Sequence, residues 1–473
     1  MREGRYKWWV IGSIILFVLV LVYKAIFEPG SIINFQTVGG LLFLELVLFL
    51  AWRFEKRFFL VLLLVFLAAG TGTPLTTLWN SVRWFVLAFG AIAGMLIYLK
   101  QYRSTFGLFH LVAFFSCLSA FVSTMVSNLP EASAMKAVSL LLLFVYGAGG
   151  ARIAILGDEK FMQTVLKACE VLVYFTCISY FVFKYEFFGN PNSLGAIMGT
   201  IAMPILFWGS LIADNRALRV RRYTVFLLAL LLCLDSYSRA SISAGIVSCG
   251  LLCIALRRYS LLVKGVVIVG MISLLVMTYS PLQSENKSDS VISTFVYKGK
   301  PEESLLASRK TPWDETISSI QQNPWFGTGF GTTLSTARQD QTEVLRSLAG
   351  TSREHGNSYL AVTEWVGLLG VIPFAGLILL IIRKVLRGFL QMRMSNATQL
   401  FIPVCAVVSA GLIGAFFEDW LFAPGSYLCV FFWSFAFMLP DLLPATLAAN
   451  FAIPHEAQTT SWNSGYRVVM PAQ

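Results

Sequence analysis

Residues 222–256 read RYTVFLLALLLCLDSYSRASISAGIVSCGLLCIAL. A helix rising 1.5 Å per residue needs about 17–25 apolar residues to cross ~30 Å of hydrocarbon. This stretch holds two such runs, 222–238 and 240–256, and between Arg222 and Arg257 the only charges are Asp235 and Arg239, which meet where the runs join. A surface helix of a soluble domain carries one apolar stripe, whereas these runs are apolar all round. The stretch therefore predicts a helical hairpin in a membrane, with a polar junction at one face.

Further runs of the same kind lie at 8–27, 34–52, 58–73, 82–99, 106–127, 134–150, 165–184, 190–212, 260–280, 363–382, 400–417 and 424–440. They predict an all-α fold, a polytopic transmembrane helix bundle of about fourteen spans. Composition agrees: 57% of the 473 residues are hydrophobic and 13% charged, with a mean hydropathy of +0.71, where a soluble domain carries about a quarter charged residues. The net charge of +11 need not mean nucleic acid, because basic residues concentrate in cytoplasmic loops of membrane proteins.

That rule also sets the orientation. With the N-terminus inside, cytoplasmic segments hold the groups Arg53, Lys56 and Arg57; Arg216, Arg219, Arg221 and Arg222; and Arg383, Lys384, Arg387 and Arg393. The short outward junctions carry single cations such as Lys136 and Arg239. The expected organisation is an N-terminal bundle of about eleven spans over 1–280, a long periplasmic loop at 281–362, C-terminal spans at 363–440 and a disordered cytoplasmic tail at 441–473. The first run has no small-residue cleavage site and reads as a retained span.

The eight cysteines fall inside apolar stretches without a CxxC, and His110, His355 and His455 are too scattered for an imidazole metal cluster. No disulfide framework, metal site or cofactor is indicated.

Polar residues at membrane depth mark a site by default, and here they gather at the outward junctions. Gly189-Asn190-Pro191-Asn192-Ser193 is either a hairpin turn or a turn whose Asn side chains bind a polar ligand. Arg239 follows Ser238 at a helix start, where a cation opposes the helix dipole. Either Asp235 compensates it, or Arg239 and the helix N-terminus hold phosphate oxygens. In the long loop, Thr311-Pro312-Trp313 predicts a helix start, with Arg309 just before it. Gly327, Gly329 and Gly331 lack a P-loop ending and predict close backbone approach to a neighbour, a phosphate or a sugar. Arg353-Glu354-His355-Gly356-Asn357-Ser358-Tyr359-Leu360 leads into the next span. There His355 or Glu354 could take a proton from a sugar hydroxyl, or the histidine could be a structural cap. Glu364 reads as a helix cap, and Glu418-Asp419 as a solvated acidic end.

In this order, Gly-Asn-Pro-Asn at 189–192, Ser-Arg-Ala at 238–240, Arg309 with Trp313, Pro324 and the alternating glycines, then Asn357 to Leu360 with Glu364 and Gly367 to Gly370 resemble the O-antigen ligase and polymerase superfamily. The likeness runs from about residue 189 to 372. It implies a metal-independent, inverting, membrane-embedded glycosyltransferase of the C class. Such an enzyme takes a glycan from undecaprenyl pyrophosphate and passes it to a growing saccharide or to a lipid A core acceptor. By position it implies pyrophosphate binding at Arg239 and Arg309; Asn190, Asn192, Gly327, Gly329, Gly331 and Asn357 are the further candidate substrate contacts. The family's loop histidine stands directly before Asn-Ser; Gly356 fills that place here, so His355 or Glu354 would be the base. A lipid-linked glycan flippase is the main competing reading, and it would set its charges along a midplane path. A non-catalytic assembly subunit would use the loop for docking.

Overall fold

The computed structural model describes residues 57–71, 76–101, 106–158, 160–182, 188, 190–267, 271, 307–333, 354–392 and 399–443. The expected spans at 8–27 and 34–52, most of 260–280, loop residues 272–306 and 334–353, and the tail from 444 lie outside the described residues.

Within them the chain is helical, with no strand. The helices are α1 (Arg57–Ala69), α2 (Thr76–Gln101), α3 (Leu108–Thr124), α4 (Pro130–Leu156), α5 (Phe161–Val182) and α6 (Pro191–Leu211). They continue as α7 (Arg216–Asp235), α8 (Arg239–Ala255), α9 (Ala307–Gln322), α10 (Ser358–Met392), α11 (Phe401–Gly414) and α12 (Tyr427–Leu442). Five of them, α2, α4, α5, α6 and α10, are long and apolar enough to cross a membrane. The protein is a multi-pass helical membrane protein.

Small residues let the helices approach closely, as packing in lipid favours. Gly199 of α6 lies against α8, where an added Cβ would sit 2.1 Å from the Ser241 carbonyl oxygen. Ser119 Oγ of α3 donates to the Gly370 carbonyl of α10 at 2.7 Å, and Ser248 Oγ of α8 donates to the Ala406 carbonyl of α11 at 2.7 Å. The interior between them is aromatic, with Phe144 and Trp433 ring centroids 4.7 Å apart.

Two helix boundaries differ from the sequence reading. Helix α9 starts at Ala307, so Pro312 stands inside it instead of at its first position, where it forgoes one bond of the ladder and its ring crowds the carbonyl four residues back. Helix α12 runs through Pro440 to Leu442, past the expected end of the last span. Asp441 is held there by a paired contact with Arg152.

Because successive helices alternate in direction, polar junctions collect at two ends of the bundle. One end gathers Ser127, Asn190, Ser236 to Arg239, the segment 323–333, Glu354 to Asn357 and Glu418 to Ser426. Ser127 and Thr332 hydroxyls are 3.1 Å apart, Tyr427 donates to the Ser193 carbonyl at 3.0 Å, and Ser358 N–H donates to the Ala415 carbonyl at 2.9 Å.

Candidate active site

The site is framed by a break in α10. Gly367 has φ 72° and ψ 177°, which interrupts the helical ladder. Groups orphaned by such a break need new partners, and the segment after α9 supplies them. Leu368 N–H donates to the Pro324 carbonyl at 2.7 Å, while Thr328 and Gly329 N–H donate to the Glu364 and Trp365 carbonyls at 3.0 and 3.1 Å. Gly327, at φ +74°, lies so close that a Cβ would sit 2.4 Å from the Trp365 carbonyl oxygen. Of the neighbours the glycine run allowed for, Gly327 and Gly329 thus meet the broken helix. Gly331 lines an apolar cavity of about 360 Å³ with Trp84, Met135, Phe330, Trp365 and Phe422, and its carbonyl accepts from Lys136 Nζ at 2.6 Å.

Ahead of the break, Asn357 caps α10: its Oδ1 accepts from Tyr359 N–H at 2.8 Å and Leu360 N–H at 3.1 Å. His355 is 0% exposed, with Trp365 edge-on at 5.4 Å between ring centroids. Its backbone N–H donates to Asp419 Oδ2 at 3.0 Å, Nδ1 lies 3.4 Å from the same oxygen, and Nε2 lies 3.2 Å from Glu364 Oε2. A ring with a carboxylate oxygen within a few ångströms of each nitrogen favours the imidazolium by charge attraction on both sides. Burial alone would lower the His355 pKa, but Asp419 and Glu364 outweigh it and raise the value. Burial would likewise raise the Asp419 pKa, and the bonds from His355 hold it below the usual range.

Beside this pair stands Arg309 on α9. Its Nη1 donates to Glu354 Oε1 and its Nη2 to Glu418 Oε1 at 2.9 Å. Gly356, at φ +64°, lies under it, and a Cβ there would approach Arg309 Nη1 to 3.0 Å. Trp313 Nε1 donates to the Gly356 carbonyl at 3.1 Å, tying α9 to the start of α10. Glu354 is 63% exposed and Glu418 19%. Burial pushes Glu418 up to about 7, against the lowering effect of Arg309 and with Asp419 and Glu354 adding to the rise. Among the described residues the cluster therefore carries four carboxylates, Glu354, Glu364, Glu418 and Asp419, against the cations Arg309 and His355.

Arg239 begins α8; Ser248 meets Ala406 midway along α11, while Ser241 lies against Gly199 and Gly414 against the neighbouring Thr200, so α8 runs antiparallel to α11. Its first turn thus stands at the same end of the bundle as Ala415. Asn190 caps α6, its Oδ1 accepting from Asn192 N–H at 2.8 Å; Asn192 is half-buried. The hairpin-turn reading describes this contact.

Residues 224–375 match the family model described as O-antigen ligase. Over that stretch the chain is similar to the O-antigen ligase family. No curated protein matches it. The match takes in Arg239, Arg309, the three glycines, Glu354, His355 and Asn357, and stops short of Glu418 and Asp419. The sequence pattern reads those two as a solvated end and Glu364 as a cap, yet all three face His355 or Arg309. The available signal was an adjacent acidic pair at the mouth of an apolar span, where an uncompensated charge is costly.

Proposed function

We propose that the chain transfers a glycan from undecaprenyl pyrophosphate to a saccharide acceptor, as a polymerase or as a ligase acting on a lipid A core sugar, on the periplasmic side of the inner membrane. The match of residues 224–375 to the O-antigen ligase family supports glycosyl transfer in general. The observation that carries the finer reading is the Arg309 guanidinium at the bundle end, presenting its two Nη groups to Glu354 and Glu418. The basic residues clustered at the opposite junctions, among them Arg216, Arg219, Arg221 and Arg222, support an outward placement of this end.

In the proposed reaction the acceptor oxygen attacks the anomeric carbon as the carbon–oxygen bond to the pyrophosphate breaks. Negative charge grows on the leaving group, and fixed guanidinium donors stabilise it in a water-poor site. Arg309 supplies one such group and Arg239, at the same end, a second. Glu354 takes the acceptor proton. It is exposed and adjacent to Arg309, whereas His355 is enclosed between Asp419 and Glu364, where it positions the segment as a cation. When the pyrophosphate engages Arg309, Glu354 is released to act as the base.

The test is transfer by the purified protein in vesicles from a polyprenyl pyrophosphate-linked glycan. Arg309→Ala should lower turnover about 10²- to 10³-fold, the effect of removing one transition-state donor. Arg309→Lys should recover little of it, because the charge remains and the fork is lost. Full activity in an Arg239→Ala, Arg309→Ala double variant would remove both from the reaction.

A further inference from the structure

We infer that Glu418 is a counter-ion that holds Arg309 in the empty site, gives it up to the donor's pyrophosphate, and takes up a proton as it does so. The inference rests on the proposed role of Arg309 as a pyrophosphate ligand. Its basis is the arrangement of charge. Arg309 Nη2 is 2.9 Å from Glu418 Oε1, and Nη1 meets Glu354 Oε1. The end-on face of the guanidinium is therefore divided between two side chains.

A pyrophosphate bound in bidentate fashion would need that face. It would also arrive at a cluster in which Glu354, Glu364, Glu418 and Asp419 outnumber Arg309 and His355. Like charges this close disfavour ionisation of one of them. The displaced carboxylates have different outcomes. Glu354, at 63% exposed, can swing into water. Glu418, at 19% exposed, has far less access to water, and the backbone that carries it is held by Ser358 Oγ, which donates to the Glu418 carbonyl at 2.6 Å and accepts from Leu421 N–H at 3.1 Å. Its neighbour Asp419 is already committed to His355. A carboxylate that loses its cation without reaching water becomes neutral by protonation. Glu418 is poised for this, its pKa already raised to about 7 by burial.

The sign follows from linkage. Below about pH 7 Glu418 is protonated before the donor arrives, so affinity is highest there. Above it, binding must bring a proton, and affinity falls by up to about tenfold per pH unit until the pKa of the bound state is reached. A pyrophosphate esterified at both ends has no ionisation of its own near neutrality, so this slope belongs to the protein.

Binding of farnesyl-diphospho-N-acetylglucosamine to the purified full chain tests the inference. For wild type, the dissociation constant should weaken at least about tenfold from pH 6.5 to 8.5. Glu418→Gln should flatten the profile and bind about tenfold more tightly than wild type at pH 8.5. A flat wild-type profile, or a slope retained in Glu418→Gln, overturns the inference. Should that variant not fold, calorimetry of wild type at pH 8 in two buffers of different ionisation enthalpy decides: proton uptake near one per probe supports the inference and none overturns it. Failure of wild type to bind the probe, or equal binding by Arg309→Ala, overturns the donor reading itself; loss of binding in Arg309→Ala with an unchanged slope in Glu418→Gln overturns only the role of Glu418.

Discussion

The two ends of the bundle hold arginines in opposite ways. At the end away from the candidate site, Arg152 of α4 gives Nε and Nη2 to the two oxygens of Asp441 on α12, both at 2.5 Å. Its Nη1 is 3.1 Å from His110 Nε2, its guanidinium lies 4.4 Å from the Tyr98 ring centroid, and it is 2% exposed. Nearby in kind, Glu170 is met by Arg221 at 2.9 Å and Arg222 at 3.4 Å. In the Arg152–Asp441 pair one fork meets one carboxylate and the two charges are matched, and at Glu170 the single carboxylate has two cations. At the site end, Arg309 is shared between two carboxylates, one of them exposed, within a cluster of excess negative charge. A matched buried pair gains nothing by opening, whereas a divided one can exchange a carboxylate for another anion. The difference teaches that burial and ion pairing alone do not mark a site; unmatched charge with access to solvent does.

The comparison can be broken by variants at each end. Glu354→Gln should cause the largest change, a fall in turnover of about 10²- to 10⁴-fold for loss of a general base, with thermal stability of the detergent-purified protein nearly unchanged. Wild-type turnover would return the proton to another acceptor. Asp441→Ala should do the reverse, costing about 3–5 kcal/mol of stability by stranding buried Arg152 while turnover per folded molecule stays near normal. Lost turnover with an unaltered melting curve would mean that the opposite end takes part in the chemistry.

His355 sharpens the contrast through pH. Its pKa is raised in the fold, so the stability it contributes is complete below an unfolded value of about 6.5 and is lost as pH rises through the folded value. Asp419 is lowered, so its share is present above about 3.9 and is lost as pH falls through its folded value. The melting difference between wild type and His355→Gln should therefore be greatest between these limits, about 1.5–3 kcal/mol for a charge-assisted pair, and should shrink in alkali. A difference that grows with pH would contradict an imidazolium. The smallest effect is expected from Asn357→Ala, about 1 kcal/mol for a lost helix cap with normal donor affinity. A large loss of affinity in folded Asn357→Ala would instead make that side chain a donor contact.

Much of this was legible in the sequence. The runs at 222–238 and 240–256 correspond to α7 and α8, and the polar junction between them falls at Asp235 to Arg239. The Thr-Pro-Trp segment does lie in a helix, α9, although that helix starts earlier so that Arg309 falls inside it, and its buried face holds Thr316 and Ser319 while Ile317 is exposed. The partners were not legible. Arg309 meets Glu354 and Glu418 across loops and a whole helical hairpin, and nothing in the spacing selects Glu418 over Asp419. Nor does the side-chain pattern disclose that the Gly327 run serves backbone groups freed at Gly367, since carbonyl positions leave no mark in residue type.

The sequence by itself therefore determined that the chain lives in lipid, where its helices turn, and that its polar residues collect at the junctions. These follow from the cost of placing polar groups in hydrocarbon, which each segment bears locally. Only the tertiary structure decided which charge meets which. Pairing depends on distances of a few ångströms and on solvent access, and both arise when α4 meets α12 at one end and α9, α10 and the turn after α11 meet at the other.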